Sequence, residues 1–140
     1  SNAAAQHAWQ PTNDAILARA RAFDDSFGVY THCAFGKPAG VKRVRLWEVA
    51  ELESVLPDAS HVTAARGKLP TETARPGELA FLKAERLLCM RTLDGWLVLQ
   101  SVQLQHKMRV RGVDFANGFH IGVRSGHHFC NEETQQPTQP

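Results

Sequence analysis

Hydrophobic and polar positions change their period along this chain and divide it into a short helical start and a longer β-patterned body. Pro11-Thr12-Asn13-Asp14 opens the helical stretch, with Thr12 as N-cap and Asp14 in the first turn, where the helix dipole favours a negative charge. Ile16, Ala20, Phe23 and Phe27 then recur at helical spacing, while Arg19, Arg21 and Asp24 fall largely elsewhere. The pattern predicts one short amphipathic helix ending near Asp24-Asp25-Ser26, with Gly28 redirecting the chain.

From Val29 the segments become short and β-like. Val29-Tyr30-Thr31 begins the first, and Gly36-Lys37-Pro38-Ala39-Gly40 reads as a turn. Val41 to Val49 is the next strand, alternating from Val44 as apolar, basic, apolar and then aromatic at Trp47, so one face is expected to be buried. Residues 51–75 are polar, carry Pro57 and Pro70 and sustain no period; they read as a loop with one short strand around His61-Val62-Thr63. Arg75-Pro76-Gly77-Glu78 is a tight turn, followed by Leu79 to Leu82, a polar break and Arg86 to Leu93. Asp94-Gly95 is the strongest hairpin signal in the chain, and Trp96 to Leu104 is the returning strand of a β-meander. Val113 to Gly118 reads as one helical turn, Phe119 to Val123 as a last strand, and the segment from Glu132 as a disordered polar tail.

The fold class that follows is mainly β with minor α: a small open Greek-key or oligonucleotide-binding-like barrel preceded by one helix. The expected organisation is a tag remnant and linker over 1–8, the barrel domain over 9–130, and a tail over 131–140.

Composition narrows this picture. With 140 residues, 43% of them hydrophobic, the chain supports one core without needing a disulfide or metal. Sixteen Lys and Arg against fourteen Asp and Glu leave a formal charge of +2, so any basic footprint must be local. Apolar runs such as Leu97-Val98-Leu99 fall far short of the roughly 20 residues that span a bilayer. Cys33, Cys89 and Cys130 are odd in number and lack C-x-x-C spacing, which argues against a disulfide framework or zinc ribbon and points to the cytoplasm. Ser1-Asn2-Ala3 looks like a tag scar and no Met follows it, so an earlier natural start is expected. Either a longer protein was cut at a domain boundary or a signal peptide was removed before Ala4; the odd cysteine count favours the first.

Most candidate motifs have an ordinary reading. Gly36-Lys37 lacks the preceding glycine of a phosphate loop, and Pro38 replaces its Ser or Thr. Asp24-Asp25 reads as two solvated acids at a helix end. His127-His128-Phe129-Cys130 would need His106, His120 or Cys33 from elsewhere to complete a metal site, and reads as a polar strand end. His32 and Cys33 are strand neighbours that point apart, not a nucleophile and its base. The basic clusters are more informative. Lys37, Lys42, Arg43 and Arg45 run without an acid until Glu48, while Lys107, Arg109 and Arg111 alternate with Met108 and Val110, which in an extended chain puts all three on one face. Such a face either binds phosphates or is a solvated edge protected by its charge.

The stretch from Leu97 to Gly118 resembles the end of the C-terminal domain of methionyl-tRNA formyltransferases. Gln103, Lys107, Met108, Asp114, Phe115, Asn117 and Gly118 stand where that family has a leucine-rich strand ending in Gln, a basic K-x-M turn and a D/E-F-x-x-G helix. Upstream, Ile16 to Phe23, Gly28 to Thr31, Val44 to Trp47 and Arg75 to Leu79 resemble further family elements in the right order. The resemblance implies a barrel appended to an N-terminal Rossmann-type catalytic domain that holds the catalytic residues and 10-formyltetrahydrofolate, with no catalytic residue or cofactor in this chain. It also implies basic, backbone-directed contacts to tRNA, for which the candidates are Lys42, Arg43, Arg45, Lys107, Arg109 and Arg111. Related domains occur in formyltransferases acting on amino sugars, so a structural module framing a small-substrate cleft is the alternative.

Overall fold

The computed structural model describes residues 12–20, 29–34, 41–124 and 127–130, and one antiparallel sheet dominates them. In chain order the elements are α1 (Asn13–Ala20), β1 (Val29–Ala34), β2 (Val41–Ala50), α2 (Leu52–Val55), α3 (Ala59–Lys68), β3 (Leu79–Leu82), β4 (Leu87–Arg91), β5 (Trp96–Leu104), β6 (Arg109–Arg111), α4 (Gly112–Gly118) and β7 (His128–Cys130). Strands run in the order β3-β4-β5-β2-β1-β7, with β6 added beside β5. The sheet is open: among the described residues its two edges meet at an isolated antiparallel bridge between Glu78 and His128. There Leu79 N donates to His127 O at 3.0 Å and Phe129 N donates to Gly77 O at 2.6 Å. The mainly β class with an unclosed sheet is therefore what the structure shows.

Alternation along the strands sends side chains into two apolar layers. On the inner face Val44, Leu46, Met90, Leu97, Leu99 and Val102 pack with Ile16 of α1 and Phe115 of α4. On the outer face Ala80, Leu82, Cys89, Trp96 and Val98 are covered by Leu52 of α2 and by Val62, Ala65 and Leu69 of and after α3. The outer cover spans only the β3-β4-β5 side; further along β5 and β2 the same surface is polar.

Two irregularities keep the inner face apolar across that change. Val49 pairs with Leu99 and Glu48 with Ser101, leaving Gln100 as an extra residue of β5; Leu46 then pairs with Val102, leaving Trp47 as an extra residue of β2. A one-residue slip in a strand exchanges its faces, so each extra residue restores Val44, Leu46, Val102 and Leu104 to the inside. Gly112 opens α4 against this junction. A Cβ there would sit 1.9 Å from the carbonyl oxygen of Leu99, so only glycine fits.

Helix α1 begins as its sequence predicts: Thr12 Oγ1 accepts from Ala15 N at 3.1 Å. It is also tied to the β4–β5 hairpin. Asn13 N donates to Asp94 Oδ1 at 2.9 Å, Asn13 Nδ2 donates to Trp96 O at 3.4 Å, and the fully buried Thr92 donates its hydroxyl to Asn13 Oδ1. The hairpin itself is closed by Thr92 N donating to Gly95 O and Gly95 N donating to Thr92 Oγ1, in agreement with the Asp94-Gly95 signal.

The structure corrects three expectations. The segment 51–75 carries α2 and α3 instead of a loop with a strand at His61-Val62-Thr63. Asp58 caps α3 by accepting from His61 N at 2.9 Å, and Val62, Ala65 and Leu69 form a narrow i, i+3, i+7 stripe that small residues made hard to see. Phe119 to Val123 is not a strand: Phe119 N and Ile121 N fold back onto Phe115 O and Ala116 O after α4. The last strand is instead β7, which pairs with β1 and buries Phe129. The run from Lys107 to Arg111 is extended only from Arg109, because Gln105 to Lys107 make the β5–β6 turn, with His106 at φ 66°. The expected helix end at Asp24-Asp25-Ser26, the turn at Gly36 to Gly40, the 1–8 remnant and the 131–140 tail lie outside the described residues.

Candidate functional site

The uncovered outer surface is built by β2, β5 and β6. Arg45 pairs with Gln103, and Gln103 pairs with Arg109, so three adjacent strands place Arg, Gln and Arg in one row. Adjacent strands lie roughly 4.8 Å apart, so the two arginine backbones are about 10 Å apart. Their side chains converge on the extra residue of β2. The Arg45 guanidinium carbon lies 3.6 Å from the centroid of the Trp47 ring, and that of Arg109 lies 4.6 Å from it. Cations over an indole face are attracted by its quadrupole, and a stacked guanidinium keeps its N–H edge for other partners.

Hydrogen bonds hold this arrangement in place. Trp47 Nε1 donates to Gln103 Oε1 at 2.8 Å, and Gln103 Nε2 donates to the carbonyl of Lys107 at 2.8 Å, which fixes the orientation of the amide. Arg109 Nε donates to Ser101 Oγ at 2.6 Å, and its Nη2 lies 3.4 Å from Glu48 Oε1. Beside the row an open depression of about 130 Å³ is lined by Arg43, Arg45, Gln103, Leu104, Gln105 and His106.

The six basic residues singled out from sequence are thus divided. Arg43, Arg45 and Arg109 come together on the outer face, and Lys107 is exposed at the turn that borders it. Arg111 shares the face of Arg109 by alternation but is engaged at 3.0 and 3.3 Å by the two carboxylate oxygens of Asp114. Lys42 alternates with the buried Val44 and Leu46 and so lies on the other side of β2. Trp47 and Gln103 were not among the residues expected to form the site. The break in alternation at Trp47-Glu48, matched by another at Gln100-Ser101, is the signal that marks the position where the ring leaves the ladder.

The remaining chemistry-bearing groups are quiet. Cys89 is fully buried and its thiol is pushed up to about 12, first by burial and then by the nearby Glu85 charge, so it is no nucleophile. Burial, then the charges of His128 and His120, hold His127 below the usual imidazole range. Among the described residues no group of three His, Cys, Asp or Glu side chains is placed to hold a metal ion. No helix among them is long and apolar enough to cross a membrane.

Comparison with known protein families gives one match, to the family described as formyl transferase, C-terminal domain, over residues 3–120. No curated protein and no solved structure matches the chain.

Proposed function

The chain belongs to the family of formyl transferase C-terminal domains, and from that premise we propose that it serves a methionyl-tRNA formyltransferase-like enzyme by holding tRNA through its phosphate backbone. Formyl transfer in this reading belongs to an N-terminal Rossmann-type catalytic domain, which carries 10-formyltetrahydrofolate; the folded unit over 9–130 supplies contacts, in the cytoplasm, on an open sheet that works as an oligonucleotide-binding-like platform.

The convergence of Arg45 and Arg109 on one Trp47 ring, with Arg43 beside them, carries the proposal. Strand pairing brings together cations that are more than 60 positions apart in sequence, on a face from which the apolar helical cover is missing. Contacts of this kind position a nucleic acid without reading its bases. Arg43, Arg45, Lys107 and Arg109 neutralising a phosphate each would give log K a slope of about −3 to −4 against log salt on a duplex stem.

The test is binding of the 140-residue chain to bulk tRNA at two salt concentrations, beside an Arg45→Ala, Arg109→Ala double variant and a Lys107→Ala, Arg109→Ala, Arg111→Ala triple variant. Weak, steeply salt-dependent binding that both variants lose supports the reading. Absence of binding at low salt removes it and favours a module that packs on its catalytic partner and frames the cleft for an amino sugar or other small substrate. The observation behind that second reading is the 83% exposed Met108 beside the half-exposed Val110, apolar residues on the β6 edge.

A further inference from the structure

We propose that the depression beside Trp47 is a seat for a single phosphate group, with Trp47 and Gln103 as positioning residues that hold Arg45 ready for it. For its biological ligand the inference rests on the phosphate-backbone reading above; it goes further by naming the groups that meet one phosphate and the frame that sets them.

Four observations support the seat. First, none of the residues lining the depression is acidic, and Arg43 and Arg45, two apart on β2, present both guanidinium groups to the same outer face. Second, Arg45 lies flat enough on Trp47 to approach its centroid to 3.6 Å, which uses a face of the guanidinium and leaves its donor edge, the geometry that suits bidentate phosphate binding. Third, the ring that orients Arg45 is itself fixed, through Gln103, to the carbonyl of Lys107. That turn is closed by Lys107 N donating to Leu104 O at 3.0 Å and joined to β2 by Gln105 N donating to Arg43 O at 2.9 Å. Ordering these groups before the ligand arrives lowers the entropy lost on binding. Fourth, Trp47 is already engaged by two cations, so a base stacking on it must displace a guanidinium; the depression is also open and small, without walls to enclose a base. The chemistry selected is phosphate, not nucleobase.

Pyrophosphate titrated into the ¹⁵N-labelled 140-residue chain is the probe. The expected result is saturable shifts centred on the amides of Gln103 to His106 and on the Trp47 indole N–H. Trp47→Leu weakens that binding about tenfold, while Trp47→Phe, which keeps a ring under Arg45, weakens it no more than about threefold. A purely structural Trp47 would not separate the two variants in this way while the amides of Leu79 to Leu82 keep their native positions. Should Trp47→Leu fail to fold, Arg45→Gln at a half-exposed position carries the test, and unchanged pyrophosphate affinity in it overturns the seat. So do shifts that spread without saturation over Lys68, Arg75 and Arg86.

The outcome with tRNA separates the two proposals. Pyrophosphate seated beside Trp47 while tRNA fails to bind keeps the seat and removes the tRNA reading. Binding of tRNA that is indifferent to Trp47→Leu and Arg45→Gln keeps the reading and removes the seat.

Discussion

Trp96 and Trp47 stand on the same outer surface of one sheet, and their surroundings are opposite. Trp96, 4% exposed, lies under α2 and α3 with Leu52, Val62 and Val98, and its Nε1 donates to Thr71 Oγ1 at 3.0 Å. Trp47 has no helix over it and is bracketed by arginines, an amide and a glutamate. The first ring contributes mainly by removing apolar area from water, the second by orienting charge. A single strand, β5, supplies neighbours to both, and the change of character falls at its extra residue, Gln100. What the contrast teaches is that exposure of an aromatic residue in this fold follows from where the helical cover stops, and that the chain invests the uncovered half with cations.

The sharpest way to test that contrast is to truncate each ring. Trp96→Ala is expected to cost about 3–5 kcal/mol in chemical denaturation while the folded fraction keeps its pyrophosphate affinity. A variant that lost both together would show that the halves are not separable. Gly112→Ala attacks the junction, where its methyl group meets the Leu99 carbonyl at 1.9 Å. The main chain has to move, and a loss of about 3 kcal/mol, read as a lower melting temperature, is the expected result. Trp47→Leu reverses the pattern of Trp96→Ala: stability changes by about 1 kcal/mol or less and ligand affinity carries the effect.

Acid separates the halves by another route. Hydrogen bonds from Lys68 to Glu85, from Arg66 to Glu53 and from His61 to Asp58 hold these carboxyls below their usual range, and all three tie down α2 and α3. Because the folded values are depressed, the stability they contribute is present above the ordinary carboxylate values, 4.5 for the glutamates, and is lost as pH falls through the folded ones. Hydrogen exchange below that point should therefore rise first in α3, ahead of β2 and β5. Lys68→Met should remove part of the pH dependence, worth about 1 kcal/mol or less for this partly screened pair. The smallest expected effect is on the basic half: Glu48→Gln releases Arg109 Nη2 from its carboxylate at 3.4 Å and should tighten phosphate binding about twofold, measured by the same titration.

The elements legible in the sequence are those whose signal is local. Thr12 capping α1, Asp94-Gly95 closing the hairpin, the meander from Leu79 to Leu104 and the turn of helix at Gly112–Gly118 all depend on residues within a few positions of one another. Helix α3 escaped because its buried stripe is Val62, Ala65 and Leu69, too small and too sparse to outweigh a polar segment with two prolines. Strand β7 escaped because Phe129 is its one buried apolar residue and its pairing partner, β1, lies about a hundred positions upstream. The candidate site was half legible for the same reason. Clusters of Arg and Lys are visible as runs, whereas the meeting of Arg45 with Arg109 depends on the register of three strands, and the commitment of Arg111 to Asp114 depends on the start of α4.

The tie between α1 and the β4–β5 hairpin has a consequence in time. Asn13 finds Thr92, Asp94 and Trp96 across separations of 79 to 83 positions, so the helix that is made first has no anchor until the hairpin has formed. Contacts of that span raise the entropic barrier to folding, and a segment as short as α1 is marginal by itself in water. During synthesis the N-terminal helix therefore waits, and the order in which the molecule is built is the reverse of the order in which its elements appear: the central hairpin first, then the helix that closes over it.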